Sequence, residues 1–327
     1  MSADFAERCS VAIFSCDRAA HLRNCVASVE RHFPGAHVTV WDDASADPAT
    51  LVALEEIGRR HAIRRRRPGP TVHLGGLRLA MAEAIAEGAR DHTYLFMLQD
   101  DQQMVRPIDA ALAARIEAIF EGDGRLTQVF GGFFRGYVAP RDLASRYAID
   151  QGLGVYEDTG IGFADTGILH LSRFMALGLD VAASETAAAM EARRRGARLV
   201  IARDPWFMFC PWPNTVRRTG GRLEKAMRRI NDFCIGAGVH PFADMTPEAI
   251  ERLLARSIDV FPVADDWLDS TPGLPRPWWY TDAFDIAKMS PRTRLLDPRW
   301  PFRGPDVYER SRQAVSTERT GKWPFPS

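Results

Sequence analysis

The stretch "YLFMLQDDQQ", Tyr94 to Gln103, decides the fold class. Its first five residues, Tyr94 to Leu98, form an apolar run of strand length. Gln99, Asp100 and Asp101 follow without a break. Two adjacent carboxylates repel each other, and at the mouth of a core strand they cost stability unless something positive sits beside them. The reading therefore turns on what lies around this run and on what supplies that charge.

Working outward towards the N-terminus, the chain alternates. "SVAIFSC" (Ser10 to Cys16) has strand length, and "AAHLRNCVASVERHF" places Leu22, Val26, Val29 and Phe33 at helical spacing. Pro34-Gly35 is a turn signal, and "HVTVW" (His37 to Trp41) is a β-branched strand ending at Asp42-Asp43. "SADPATLVALEEIG" opens like a capped helix, with Leu51, Leu54 and Ile57 on one face. "RRHAIRRRR" (Arg59 to Arg67) and a Gly75-Gly76 turn lead to the helix "LRLAMAEAIAEGA" and then to the strand "TYLFML". Strand, helix, strand, helix, helix, strand predicts a mostly parallel sheet with helices on both faces. In such sheets ligands bind at the carboxyl ends of the strands. Both acidic pairs, Asp42-Asp43 and Asp100-Asp101, fall at that end.

Towards the C-terminus, "IDAALAARIEAIF" is an amphipathic helix and "QVFGGFF" (Gln128 to Phe134) reads as a strand. Arg135 to about Asp165 reads as loop-rich, and "ILHLS" as a short strand. "ETAAAMEARRRGARLVIARD" gives a helix, a glycine stop at Gly196 and a strand. "RLEKAMRRINDFCIGAG" and "TPEAIERLLARS" are two further helices, the second with Thr246 as cap and Pro247 in the first turn. From Pro262 on, the chain is rich in Pro, Trp and Asp with little periodicity. The expected division is a main region over 1–215, in two halves at about 9–104 and about 105–215. A helical and Trp/Pro-rich extension, 216–327, packs on it.

Composition narrows the function classes. The 327 residues are 46% hydrophobic and 26% charged, ordinary for a globular chain. Basic and acidic residues number 42 each, so no global field attracts nucleic acid or acidic lipid. The arginine run has no aromatic interleaving and no further basic excess around it, so it reads as a solvated strand edge or loop rather than a nucleic-acid site. One of its arginines could face a ligand, but the sequence does not say which. No apolar run reaches membrane-span length, and "MSADFAERCS" has no apolar signal core, so a cytoplasmic protein is expected. The five cysteines, at 9, 16, 25, 210 and 234, show no zinc-ligand spacing and read as small buried residues.

The order of these features resembles the family-2 glycosyltransferases of the GT-A fold. "VAIFSCDRAAHLRNCVASV" is similar to that family's first strand, turn and helix, and "VTVWDDASAD" to its second strand and acidic turn. "GLRLAMAEAI" resembles the glycine-led helix before the metal motif, and "FMLQDD" stands in the place of the Asp-x-Asp motif itself. "SETAAAMEARRRGARLVIARD" is similar to the segment carrying the catalytic base. The resemblance covers roughly residues 9 to 205. It implies an α/β, GT-A-like sandwich. It also implies a nucleotide-binding half at about 9–104, an acceptor half at about 105–215, and a hexosyltransferase-like activity that moves a sugar from a nucleotide-diphosphate donor to an acceptor hydroxyl or similar nucleophile with inversion.

The resemblance also assigns roles. Asp101 would be the direct ligand of a Mn²⁺ or Mg²⁺ ion, and Asp100 would lie nearer the donor's ribose or sugar. Hard oxygen ligands suit such ions, which reconcile acidic side chains with negative phosphates. Asp43 would read the base, because a carboxylate accepts the N–H groups of uracil, thymine or guanine. The plainer role for "DDASAD", capping the next helix, could fall to Ser45 or Asp47. Phe14, Ser15, Asp17 and Gly76 would line the same nucleotide pocket, and Arg18 would touch the diphosphate or lie on the surface. Glu185 would be the base, with Ser184 as its helix cap and Asp165 in reserve. The donor is UDP-linked first, with GDP and dTDP as alternatives, and the acceptor is unknown. A homodimer is compatible with the sequence, and Trp278, Trp279 and Tyr280 could line the acceptor side or pack as a lid.

Three departures from the family pattern stand out. Gln99 takes the first position of the metal motif, Glu185 replaces the usual Asp, and "DPWFMFCPWPNTVRRTGGR" offers no histidine to close a metal shell. His240 lies too far along to align, and Asn214, Arg217 or Arg218 would serve the diphosphate instead. Two other classes share parts of the pattern. A nucleotidyltransferase usually carries a glycine-rich loop after its first strand, whereas "FSCDRAAHL" has no glycine. A nucleotide-sugar-binding protein without turnover is the other.

Overall fold

The computed structural model describes residues 3–66, 75–134, 143, 147–158, 161–182, 185–210 and 239–269. Contacts divide the chain into two compact units. The first comprises Met1–Gly132, Tyr147–Met208 and Ser257–Asp259, and the second Phe133–Arg146, Phe209–Arg256 and Val260–Ser327.

The first unit holds a nine-stranded sheet. Its strands in chain order are β1 (Cys9–Ser15), β2 (His37–Asp42), β3 (Ala62–Arg65), β4 (Tyr94–Gln99), β6 (Leu126–Phe130), β7 (Tyr147–Asp150), β8 (Val155–Asp158), β9 (Gly167–His170) and β10 (Arg198–Ala202). Two short strands, β5 (Gln102–Met104) and β11 (Phe207–Phe209), pair separately. The spatial order is β3-β2-β1-β4-β9-β6-β10-β8-β7. Strands β3, β2, β1 and β4 run parallel, as do β6 and β10. Only β9 and β8 oppose their neighbours, so the sheet is mostly parallel, as the alternating pattern predicts.

Helices cover both faces. They are α1 (Ala3–Arg8), α2 (Ala19–His32), α3 (Pro48–Gly58), α4 (Gly75–Asp91), α5 (Ala110–Gly122), α6 (Leu171–Ala176) and α7 (Glu185–Arg194). Side chains alternate across the pleat, and the core alternates with them. Val11, Ile13, Val40, Phe96 and Leu98 pack with Leu22, Val26 and Val29 of α2 and Ile116 of α5. Ala12, Phe14, Trp41, Leu95 and Met97 pack on the other face with Met81 and Ala84 of α4 and Ala188 of α7. Strand β1 is flanked on both edges and covered on both faces, which is why nearly all of it is buried.

Local chemistry sets several ends. Asp47 caps α3 by accepting from the Thr50 amide at 2.8 Å, with Pro48 in the first turn. Gly196, at φ +85°, turns α7 into β10. Strand β3 lies at the sheet edge with Arg64 and Arg65 exposed, as the arginine run predicts.

Three expectations need correction. The strand expected over Gln128–Phe134 begins at Leu126 and ends at Phe130. Beyond it the Trp206 ring stands where a Cβ on Gly131 would lie, 2.2 Å away, and the chain turns aside. The stretch expected to be loop contains the hairpin β7–β8, closed by Gly154 at φ +65°. "ILHLS" is strand only to His170, and Leu171 already starts α6.

In the second unit, α8 (Pro247–Ala255) and α9 (Ala264–Trp267) are described. Thr246 caps α8 through the Ala249 amide, as the sequence predicts. Phe134 stacks edge-on against Phe261. The helix expected over 222–238 with Cys234, and Ser184, Asn214, Arg217, Arg218 and Trp278 to Tyr280, lie outside the described residues. Among the described residues no helix is long and apolar enough to cross a membrane.

Candidate active site

Three parallel strands bring the acidic pairs to one edge. In register, Ser15 faces Asp42 and Phe14 faces Gln99. The ladders run one step further: the Asp43 amide donates to the Ser15 carbonyl at 2.9 Å, and the Asp100 amide to the Phe14 carbonyl at 3.0 Å. Asp43 and Asp100 thus flank the end of β1.

The loops after β1 and β2 are laced together. Asp17 sits in the left-handed region at φ 52°, which a short acidic side chain tolerates. Its amide donates to Ser45 Oγ at 2.9 Å, and its carboxylate accepts from the Ala46 and Asp47 amides at 2.7 and 2.9 Å. Cys16 Sγ reaches the Asp43 carbonyl at 3.1 Å. Asp17 is therefore a strap between two loops.

Within the first acidic pair the two carboxylates differ. Asp42 is fully buried and accepts from the Ser45 amide at 3.1 Å, from the Ser45 hydroxyl and from Arg65 at 3.2 Å. Asp43 is 36% exposed and stands 3.8 Å from Arg66. Its Oδ1 lies 1.8 Å from where a Cβ on Gly76 would be, so the carboxylate rests against the bare backbone at the start of α4. Arg66 also donates to the Gly76 carbonyl at 2.8 Å, so among the described residues of the run it is Arg65 and Arg66 that reach the first acidic pair.

The second pair is the more constrained. Asp100 Oδ2 accepts from Ser15 Oγ at 2.8 Å and from the Cys16 amide at 3.4 Å. Its Oδ1 accepts from Arg18 Nη1 at 2.9 Å. The same nitrogen reaches Asp101 Oδ2 at 3.3 Å. Burial pushes the Asp100 carboxyl above the usual carboxylate range, and the neighbouring Asp101 adds to this while Arg18 and Ser15 oppose it. Burial alone would lower the Arg18 guanidinium, but the two carboxylates leave it above its ordinary value. Two carboxylates share one guanidinium nitrogen. Asp101 Oδ1 is buried and has no hydrogen-bond partner among the described residues.

That orphan oxygen is the test for a metal. A buried anionic acceptor left unpaired is costly, and a divalent cation satisfies it. Among the described residues no group of three His, Cys, Asp or Glu side chains could hold a metal by itself. The arrangement fits an ion of the Mg²⁺ or Mn²⁺ type, which is commonly bound through one or two carboxylates with phosphate oxygens completing its shell.

Arg18 is thus neither a surface residue nor free: its position 82 residues away from Asp100 in sequence concealed the pairing. A second buried ion pair was also illegible. Arg78 of α4 donates through both terminal nitrogens to both oxygens of Asp165. The reserve base Asp165 is thus held by an arginine through both of its oxygens. Glu185 is the first residue of α7.

No protein-family model matches the chain, and no curated protein matches it. Among solved structures, the chain is similar to the mannosyltransferase PcManGT from Pyrobaculum calidifontis in complex with GDP-mannose and Mn²⁺, at 14% identity and a TM-score of 0.44. That match covers 69% of this chain and 62% of the other, so the chain spans less than two thirds of that protein's length. It is also similar to residues 1–349 of TarS from S. aureus, at 13% identity and a TM-score of 0.43, over 94% of this chain and 88% of that one. The TarS complex with UDP matches over the same shares, at 12% identity and a TM-score of 0.39.

Proposed function

We propose that the chain is a metal-dependent glycosyltransferase that moves a sugar from a nucleotide-diphosphate sugar to an acceptor hydroxyl, with inversion at the anomeric carbon. The observation that carries this reading is the buried Asp101 Oδ1, unpartnered among the described residues, beside Asp100 at the carboxyl edge of the sheet. Asp101 would hold Mn²⁺ or Mg²⁺. When bound, such an ion neutralises the diphosphate and stabilises the charge that develops on it as it leaves.

The chain's own residues divide the remaining work. Ser15, Cys16 and Arg18 engage both oxygens of Asp100 and so hold the turn that presents Asp101. Asp43, exposed and set against Gly76, would accept the N–H of a base; UDP is the first choice, with GDP and dTDP as alternatives. Phe14 contributes backbone to the same edge. Glu185, at the start of α7, would take the acceptor proton, and the helix N-terminus favours the ionised form that a base requires.

Thermal unfolding with UDP, GDP and dTDP, each with and without Mn²⁺, tests the reading. A hundredfold excess over Kd stabilises by about 2.7 kcal/mol. At least one diphosphate should raise Tm in the presence of the metal, and Asp101→Asn should abolish the metal's part of that rise. A shift that ignores both the metal and the substitution overturns the proposal. Sugar release from the matching nucleotide sugar then distinguishes transfer from mere binding, and pyrophosphate release from a nucleoside triphosphate would assign nucleotidyl transfer instead.

A further inference from the structure

We propose that Arg18 is a removable counter-ion: its guanidinium holds the carboxylate pair while no metal is bound, and releases Asp101 when a divalent cation loads. This rests on the reading of Asp101 as the metal ligand.

The geometry is asymmetric in the required way. One nitrogen, Nη1, serves both acids, at 2.9 Å to Asp100 Oδ1 and 3.3 Å to Asp101 Oδ2. The shorter contact is a good charge-assisted hydrogen bond and the longer one is weak. Neither carboxylate receives the two-pronged grip that makes arginine pairs hard to open. Asp100 is anchored a second time by Ser15 and the Cys16 amide, whereas Asp101 Oδ1 has no hydrogen-bond donor among the described residues. Release therefore falls on Asp101.

The backbone is built to let the side chain move without the loop. Asp17, just before Arg18, is fixed by the Ala46 and Asp47 amides. The Arg18 carbonyl accepts from the Leu22 amide at 2.9 Å, which ties it to α2. A divalent ion on Asp101 would face the guanidinium a few ångströms away, and like charges at that separation repel. With its contact to Asp100 kept, the freed guanidinium stays at the site mouth, where arginine suits a diphosphate. Metal and nucleotide would then bind cooperatively, because the metal frees Arg18 for the diphosphate and the diphosphate draws Arg18 off Asp101, and the coupling is reciprocal.

The experiment measures Mn²⁺ binding to the full chain by electron paramagnetic resonance of the free ion, with and without UDP. Removing the competitor in Arg18→Gln should tighten Mn²⁺ binding without nucleotide by about tenfold or more. Arg18→Lys keeps a charge without the planar fork and should fall between, and it decides the matter if the glutamine variant does not fold. UDP should strengthen Mn²⁺ binding in the wild type and much less in Arg18→Gln. Equal or weaker Mn²⁺ binding in the Arg18 variants, with binding still lost in Asp101→Asn, overturns the counter-ion role and leaves the metal reading standing. Absence of Mn²⁺ binding in every protein, with or without UDP, overturns both.

Discussion

A Cβ on Gly76 would lie 1.8 Å from Asp43 Oδ1, and the atom it meets is the end of a side chain rather than backbone. Gly76→Ala should therefore fold, because the carboxylate can rotate away, but Asp43, the proposed reader of the base, would lose its seat. The expected outcome is a Tm close to wild type with weaker nucleoside diphosphate binding, measured by calorimetry. Asp43→Ala should cost about 1–3 kcal/mol of that affinity, the scale of a lost hydrogen bond to a charged group. Unchanged affinity and unchanged base preference in both variants would assign Asp43 a purely local role. Glu185 calls for a different readout. An acceptor hydroxyl is a poor nucleophile until its proton is taken, so Glu185→Gln should lower turnover by about a hundredfold or more while the donor-induced rise in Tm persists. Near-normal turnover removes Glu185 from the mechanism, and Asp165, paired with Arg78 through both oxygens, becomes the next candidate.

At the scale of the element, α3 begins where the acidic loop ends. Asp47 accepts from both the amide and the hydroxyl of Thr50, at 2.8 and 2.7 Å. Asp47→Ala loses this cap and should destabilise the protein by about 1 kcal/mol. The Asp47 backbone amide still donates to Asp17, so the loop that carries Asp43 should keep its path. A lower urea midpoint with an unchanged slope and an unchanged Kd for nucleoside diphosphate is the expected result. A fall in nucleotide affinity would mean that the cap, and not the Asp17 strap, sets the loop.

At the scale of the whole first unit, Arg198 of β10 gathers acids from separate elements. It pairs with Glu157 of β8 at 2.7 Å and with Asp123 beyond α5, and lies 3.7 Å from Asp150 of β7. Burial alone would raise the Asp123 carboxyl, but the Arg125 amide and the Arg198 guanidinium pull it down to about 2. The hydrogen bond from Arg198 lowers Glu157 as well, against a smaller opposing effect of burial. A carboxyl held below its unfolded pKa adds stability at all pH above that unfolded value, near 4, and the contribution fades as pH falls through the folded value. For Asp123 the displacement corresponds to about 2 kcal/mol at neutral pH. Arg198→Met should therefore unfold at lower urea at pH 7, with the gap to wild type closing between about pH 4 and pH 2. A gap of constant size across that range would assign the loss to packing of the arginine stem.

What the sequence determined by itself is local and periodic. Spacing of apolar residues located β1, α2, β2, α3, α4 and β4, and the Thr246-Pro247 and Gly196 signals located the ends of α8 and α7. These features arise between residues a few positions apart, and burial of one face leaves its period in the chain. The same alternation placed Asp43 and Asp100 together at the strand ends, where the parallel register does bring them to either side of β1. Tertiary structure decided the rest. It set β9 antiparallel between β4 and β6, made Asp42 the buried acid and Asp43 the half-buried one, and paired Arg65 and Arg66 of the arginine run with them. It also gave the Asp100-Asp101 pair its positive partner in Arg18, 82 residues before Asp100. Strand order and charge pairing are agreements between distant parts of a chain. They leave no period in either part, because each is settled only when burial removes water and obliges every charge to find a neighbour.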